Sequence, residues 1–122
     1  MRFTRDHEWI KKEGKYAYIG ITDYAQQQLG DIVYVELAEE DLVLQQGDVL
    51  CAIESVKTAA EVYMPVSGTV IEANAELEDA PEKINEDPYG TYLAKIIIDD
   101  ESELNDLMTE DEYNEFLESE AE

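Results

Sequence analysis

The sequence predicts a mainly β domain, a sandwich or barrel trimmed by a short internal helix and a C-terminal helix. Three observations carry this. Short segments rich in strand formers recur at close spacing between Glu8 and Ile98. Turn residues punctuate them: Gly14, Gln45-Gln46-Gly47-Asp48 and Pro65-Val66-Ser67-Gly68. From Ser102 onward the apolar spacing changes to that of a helix. At 122 residues the chain has the length of one compact domain, taken as 1–122.

In chain order, Glu8 to Lys12 and Lys15 to Ile21 read as the two arms of a hairpin turning at Gly14. Asp23 to Gly30 changes character, with an acidic cap, Gln three residues on and Gly at the stop position, and predicts one short helix. Asp31 to Leu37 predicts a strand buried on both faces or nearly so. Val49 to Ile53, Ala60 to Met64 and Thr69 to Ala73 follow as short strands, the first two separated by Ser55-Val56-Lys57-Thr58. Asn85 to Gly90 reads as a loop, and Tyr92 to Ile98 as the last strand. The C-terminal helical segment is expected over 102–118, with a capping box at Thr109-x-x-Glu112 and Tyr113, Phe116 and Leu117 on one face. The acidic tail, 119–122, is expected to fray.

Eight Lys and Arg against thirty-one Asp and Glu give a formal net charge of -23. Phosphate backbones and anionic lipid repel such a surface, which argues against nucleic acid and membranes as partners. The excess has two readings that can coexist: solubility or adaptation to salt, and docking onto basic protein surfaces. Cys51, the only cysteine, lies in the apolar run Val49 to Ile53 and reads as a small buried side chain in a reducing compartment. The N-terminal residues lack the apolar segment of a secretory signal, so the expected location is cytoplasmic, or an organelle interior after processing. His7 is the only histidine, too few for a metal site or a histidine-based triad, and is expected to pack or hydrogen-bond. Trp9 and Tyr16, Tyr18, Tyr24, Tyr34 and Tyr63 read as core and cleft wall. No phosphate-binding glycine loop or nucleophile elbow is present, so a stand-alone enzyme is not expected.

Lys57 is the only basic residue between Lys15 and Lys83, and it falls between two strands. A lysine at a hairpin tip offers its stem and amine to a modifying enzyme, with Glu54 and Glu61 on either side for a ligase to read. Position alone leaves this reading open beside that of an ordinary surface lysine.

The segment Glu54-Ser55-Val56-Lys57-Thr58-Ala59-Ala60-Glu61-Val62-Tyr63-Met64-Pro65-Val66-Ser67-Gly68 resembles the lipoylation segment of glycine cleavage H proteins. The likeness extends through Asp6-His7-Glu8-Trp9, Gly20 to Gln26, Gly30 to Val33 and Asn85 to Gly90, in order along nearly the whole chain. Biotin carriers share the fold but set the modified lysine between two methionines, where this chain has Val56 and Thr58. After Gly90 the sequence departs from the family: Gly90-Thr91-Tyr92-Leu93 is one residue shorter and lacks the usual tryptophan.

The resemblance implies a lipoyl/biotinyl-type β-sandwich and a non-catalytic carrier, with lipoic acid joined to the Lys57 amine as an amide and no metal. It implies partners in turn: a pyridoxal-phosphate glycine decarboxylase that loads the arm, a tetrahydrofolate-dependent aminomethyltransferase, an FAD-containing dihydrolipoamide dehydrogenase, and a lipoate ligase or a lipoyl or octanoyl transferase that installs the group. The carrier is expected to be a monomer. By position in the matched motifs, Glu8 and Glu61 look like the acids lining the cleft for the aminomethyl-loaded arm; as isolated residues both read equally as solvated surface acids. An alternative role, relay of lipoyl or octanoyl groups to other complexes, uses the same Lys57.

Overall fold

Gly14, at φ +64°, turns the chain between the first two long strands, as its freedom from a side chain permits. In the computed structural model, which describes residues 1–121, these are β2 (Glu8–Glu13) and β3 (Tyr16–Ile21), paired antiparallel with Trp9 opposite Gly20. Among the described residues they join a six-stranded sheet in the order β1-β2-β3-β9-β8-β5, formed with β1 (Arg2–Phe3), β5 (Val43–Leu44), β8 (Gly68–Ala73) and β9 (Ala94–Ile98). A second sheet runs β4-β6-β7, from β4 (Ile32–Glu36), β6 (Val49–Ser55) and β7 (Ala59–Tyr63). Every pairing in both sheets is antiparallel.

The main core lies between the sheets, where Ile10, Ile19, Val35, Ile53, Val62, Val70 and Ile96 bury their side chains together. A second cluster forms where Phe3 stacks on Tyr113, ring centroids 4.7 Å apart, with Trp9 beside them. Together the two clusters make the sandwich that strand spacing predicts.

The internal helix α1 spans Asp23–Leu29. Its cap is Thr22 rather than Asp23: the Thr22 hydroxyl accepts from the Ala25 amide, while Asp23 receives the side-chain amides of Gln26 and Gln27 from inside the first turn. Strand β4 is buried on one face only. A bulge between Ile32 and Tyr34 breaks the alternation and leaves Val33 and Tyr34 about half exposed. Tyr34 is therefore neither core nor buried cleft wall.

Two one-turn helices not foreseen in the sequence, α2 (Glu76–Asp79) and α3 (Lys83–Glu86), close one end of the sandwich with Leu77 and Ile84. Asn85 and Glu86, expected in a loop, belong to α3. Tyr92 and Leu93 precede β9 instead of opening it.

The C-terminal segment divides into a 3-10 helix, Glu101–Asp106, and helix α4, Glu110–Ala121. The capping box forms as expected: the Thr109 amide donates to Glu112 at 2.9 Å and the Glu112 amide to the Thr109 hydroxyl at 3.3 Å. Helix α4 does not fray at 119; it continues through Ala121, with Glu120 Oε2 3.3 Å from His7 Nε2. Of the expected frayed tail, Glu122 lies outside the described residues.

Candidate functional site

Strands β6 and β7 meet in a turn at Ser55 to Thr58, and Ser55 builds it. The Ser55 hydroxyl accepts from the amides of Lys57 at 3.2 Å and Thr58 at 3.1 Å and donates to the Thr58 carbonyl, while its own amide reaches the same carbonyl at 2.8 Å. A serine side chain thus supplies the turn that Gly or Asn would ordinarily make. The Val56 amide donates to the Asp31 carbonyl at 3.0 Å, tying the tip to the end of β4.

Lys57 is exposed at this tip, and its amine takes part in no ion pair among the described residues. Its stem runs over Gly30, the residue that ends α1: a β-carbon built at Gly30 would lie 3.2 Å from Lys57 Cε and 3.6 Å from Cδ. Val56 at the tip, and Val33 and Tyr34 on the paired strand β4, are exposed apolar side chains. The position therefore combines an accessible amine, a backbone held at both ends and a seat for the stem.

Glu8 differs sharply from a solvated acid. It is 2% exposed, with both carboxylate oxygens engaged: the Thr4 hydroxyl donates to Oε1 at 2.7 Å and the Tyr63 amide to Oε2 at 2.9 Å. Burial pushes its carboxyl up to about 7, against the lowering effect of these two donors, and the Asp6 carboxylate adds to the rise. Glu8 borders a hollow of about 480 Å³ with Arg2, Arg5, Gln46, Met64 and Leu107 among its walls.

Glu61 stands exposed on β7 opposite Ala52. It borders a separate hollow, also about 480 Å³, formed with Glu36, Leu42, Val49 and Cys51. The structure does not bring Glu8 and Glu61 into one cavity. Both attach to β7, however, since the Tyr63 amide that binds Glu8 follows Glu61 by two residues. At about 3.3 Å per residue, Glu61 and Tyr63 lie roughly 7 and 13 Å along β7 from Ala59, where the strand leaves the turn.

His7, expected to pack or hydrogen-bond, does both, and has φ +68°. Its Nδ1 is hydrogen-bonded to the Tyr113 hydroxyl at 2.9 Å, its ring lies 4.5 Å from that of Tyr24, and the Tyr113 hydroxyl continues to the fully buried Thr22 at 2.7 Å. Sequence reading missed this bridge from α4 to the cap of α1, because its residues lie ninety or more positions apart. Thr4, the other unforeseen residue of the site, left one usable signal: a hydroxyl four residues ahead of an acid at the start of a strand. Cys51 is buried as expected, and burial, followed by the Glu8 and Glu36 charges, pushes its thiol up to about 12. No group of His, Cys, Asp or Glu among the described residues could hold a metal ion. No helix among them is long and apolar enough to cross a membrane.

A family model described as glycine cleavage H-protein matches residues 1–120. Glycine cleavage system H proteins of Thermoanaerobacter sp. (strain X514) and Thermoanaerobacter pseudethanolicus are each 52% identical to the chain over 118 residues, covering 97% of it and 94% of the relative. The glycine cleavage system H protein of Staphylococcus haemolyticus is 50% identical over 118 residues, covering 96% of this chain and 94% of its own. Among solved structures, a glycine cleavage system H protein from Mycobacterium marinum superimposes with a TM-score of 0.79 at 29% identity, covering 98% of this chain and 95% of that one.

Proposed function

The chain belongs to the glycine cleavage H-protein family, and from that membership we propose that Lys57 is the residue to which its lipoyl group is attached. The protein is a lipoyl carrier of the glycine cleavage system and has no catalytic activity of its own. It carries the aminomethyl group of glycine from the pyridoxal-phosphate decarboxylase to the folate-dependent aminomethyltransferase, and presents the resulting dithiol to dihydrolipoamide dehydrogenase.

The residues at the tip fit a covalently held lipoyl group. Lys57 offers an amine with no ion-pair partner among the described residues, and the turn around it is closed by the Ser55 hydroxyl rather than by the lysine side chain, so acylating the amine removes no bond that holds the hairpin. When bound, the group supplies a dithiolane whose sulfur accepts the aminomethyl unit. The chain supplies placement: Gly30 seats the stem, and the exposed Val56 precedes the lysine in the turn.

Glu8 and Glu61 are the acids proposed to receive the cationic end of the loaded arm. Glu61, exposed on β7 and nearer the tip, would meet it first. Glu8 offers a buried carboxyl poised near neutrality, and a cation arriving beside it favours the ionised form. The same reading puts the carrier in the cytoplasm with its partner enzymes, which cell fractionation checks.

The geometry of the Lys57 tip is the observation that carries the proposal. Its test is the intact mass of the purified protein after incubation with lipoate ligase, ATP and lipoate, beside Lys57→Ala. One lipoyl group gained by the parent protein and none by the variant supports attachment at Lys57; equal gain by both moves the site elsewhere, and no gain by either ends the proposal.

A further inference from the structure

We propose that Thr4 is a positioning residue for the loaded arm: its hydroxyl holds the Glu8 carboxyl in one orientation, from which that carboxyl receives a cation. The proposal rests on the reading of Glu8 given above.

A threonine hydroxyl has one proton and two lone pairs. In this structure the amides of Asp6 and Glu8 donate to the Thr4 oxygen at 3.2 and 3.1 Å, which leaves the single proton for Glu8 Oε1 at 2.7 Å. Thr4 is thereby the donor, and its hydroxyl has no free rotamer. The second carboxylate oxygen takes the Tyr63 amide from the other sheet. Glu8 is thus spanned between an N-terminal loop and β7, and removing either donor frees the carboxyl to swing.

Besides the two amides that donate to the hydroxyl, backbone bonds hold the loop. The Thr4 amide donates to the Glu8 carbonyl at 2.9 Å, the His7 amide to the Thr4 carbonyl at 3.2 Å and the Thr22 amide to the His7 carbonyl at 3.0 Å. Deleting the hydroxyl therefore costs the loop two side-chain bonds and leaves these three backbone bonds, while Thr4→Ser keeps all of them.

The carboxyl is completed by two donors and has no cationic partner among the described residues, although Arg2 and Arg5 border the same hollow. The charged and titratable groups facing it are Arg2, Arg5 and Asp6 from the N-terminal segment, Cys51 and Tyr63 from the second sheet, and Asp106 and Glu112 from the C-terminal segment. Among the described residues only Thr4 and Tyr63 hydrogen-bond to it.

Thr4→Val keeps the shape and removes the hydroxyl; Thr4→Ser keeps the hydroxyl. Both are compared with Glu8→Gln and the parent protein by two measurements. One is the titration midpoint of the Glu8 carboxyl, followed by 13C NMR on unloaded lipoyl protein. The other is the rate at which aminomethyl-loaded carrier, with no partner enzyme present, takes up water and releases ammonia and formaldehyde with return of the thiol. Thr4→Val is expected to raise the Glu8 midpoint, because a donor to the charged form is lost, and to speed release about tenfold. Thr4→Ser should restore both. If Glu8→Gln speeds release and Thr4→Val leaves it unchanged, Thr4 does not position the acid and the proposal is overturned while the Glu8 reading stands. If Glu8→Gln itself leaves release unchanged, the Glu8 reading fails and takes this proposal with it. Faster release in Thr4→Ser equal to that in Thr4→Val also overturns the proposal, since the hydroxyl would then not be the cause.

Discussion

The stem of Lys57 rests on Gly30, which leaves 3.2 Å between Lys57 Cε and the place a β-carbon would occupy. Gly30 also ends α1 at φ +77° and ψ -155°, a region that is essentially glycine's alone. Helix termination and the seat of the modified lysine are thus one residue.

Gly30→Ala is expected to lower stability by about 1 to 3 kcal/mol from the backbone conformation alone. The added methyl should also displace the Lys57 stem and slow lipoylation. Thermal denaturation measures the first effect and a ligase time course the second; a variant as stable and as readily lipoylated as the parent would contradict both.

Ser55→Ala removes the hydroxyl that joins the amides of Lys57 and Thr58. The turn is largely exposed, so the loss in global stability should be small, about 0.5 to 1 kcal/mol. Hydrogen exchange at those two amides should accelerate much more than the average, and lipoylation should slow as the tip loosens.

Glu8 makes stability depend on pH in an unusual direction for an acid. Its carboxyl is raised from 4.5 to about 7 in the folded protein, so between these values the native state binds more protons than the unfolded state. Its stabilising contribution is therefore full below pH 4.5 and is lost as pH rises toward and through 7, by roughly 3 kcal/mol in all. Denaturant unfolding from pH 4 to 8 should show this slope in the difference between parent and Glu8→Gln. A difference that is flat across the window counts against a buried, raised carboxyl.

Tyr113→Phe keeps the stack on Phe3 and deletes the hydroxyl shared by Thr22 and His7. Leaving the buried Thr22 with one fewer partner should cost about 1 to 2 kcal/mol. Amide exchange should rise in both α4 and the first turn of α1, since the hydroxyl links them; a rise confined to α4 would show that the link does not reach the cap.

Where local chemistry decides an element, the sequence was readable. Gly14 marks its hairpin, Gly30 its helix end, and Thr109 with Glu112 form the cap their spacing announces. Where a partner decides, it was not. Two-residue strands such as β1 and β5 exist because Trp9, Ile10, Gly68 and Thr69 pair with them, and nothing within two residues signals that. The bulge at Val33 reverses the side chains beyond it, which an alternating pattern cannot announce. Helix α4 persists past 119 in a run of acids because Glu120 finds His7, a residue from the other end of the chain. The site divides the same way: Lys57 stands out as an isolated cation, while the burial of Glu8 and the role of Ser55 are properties of the folded neighbourhood.

Phe3 and Met108 exchange both backbone hydrogen bonds, each at 2.9 Å, and Glu120 closes on His7. The segments near the two ends of the described chain therefore meet, with Phe3 paired to Trp9, the neighbour of Glu8. Topologically the molecule is nearly a ring. A short linker could join those ends and the chain be reopened at an exposed loop, giving a circular permutant with its hairpin intact. A tag or fusion at the N-terminus would likewise lie beside the Glu8 hollow, which Arg2 and Phe3 line.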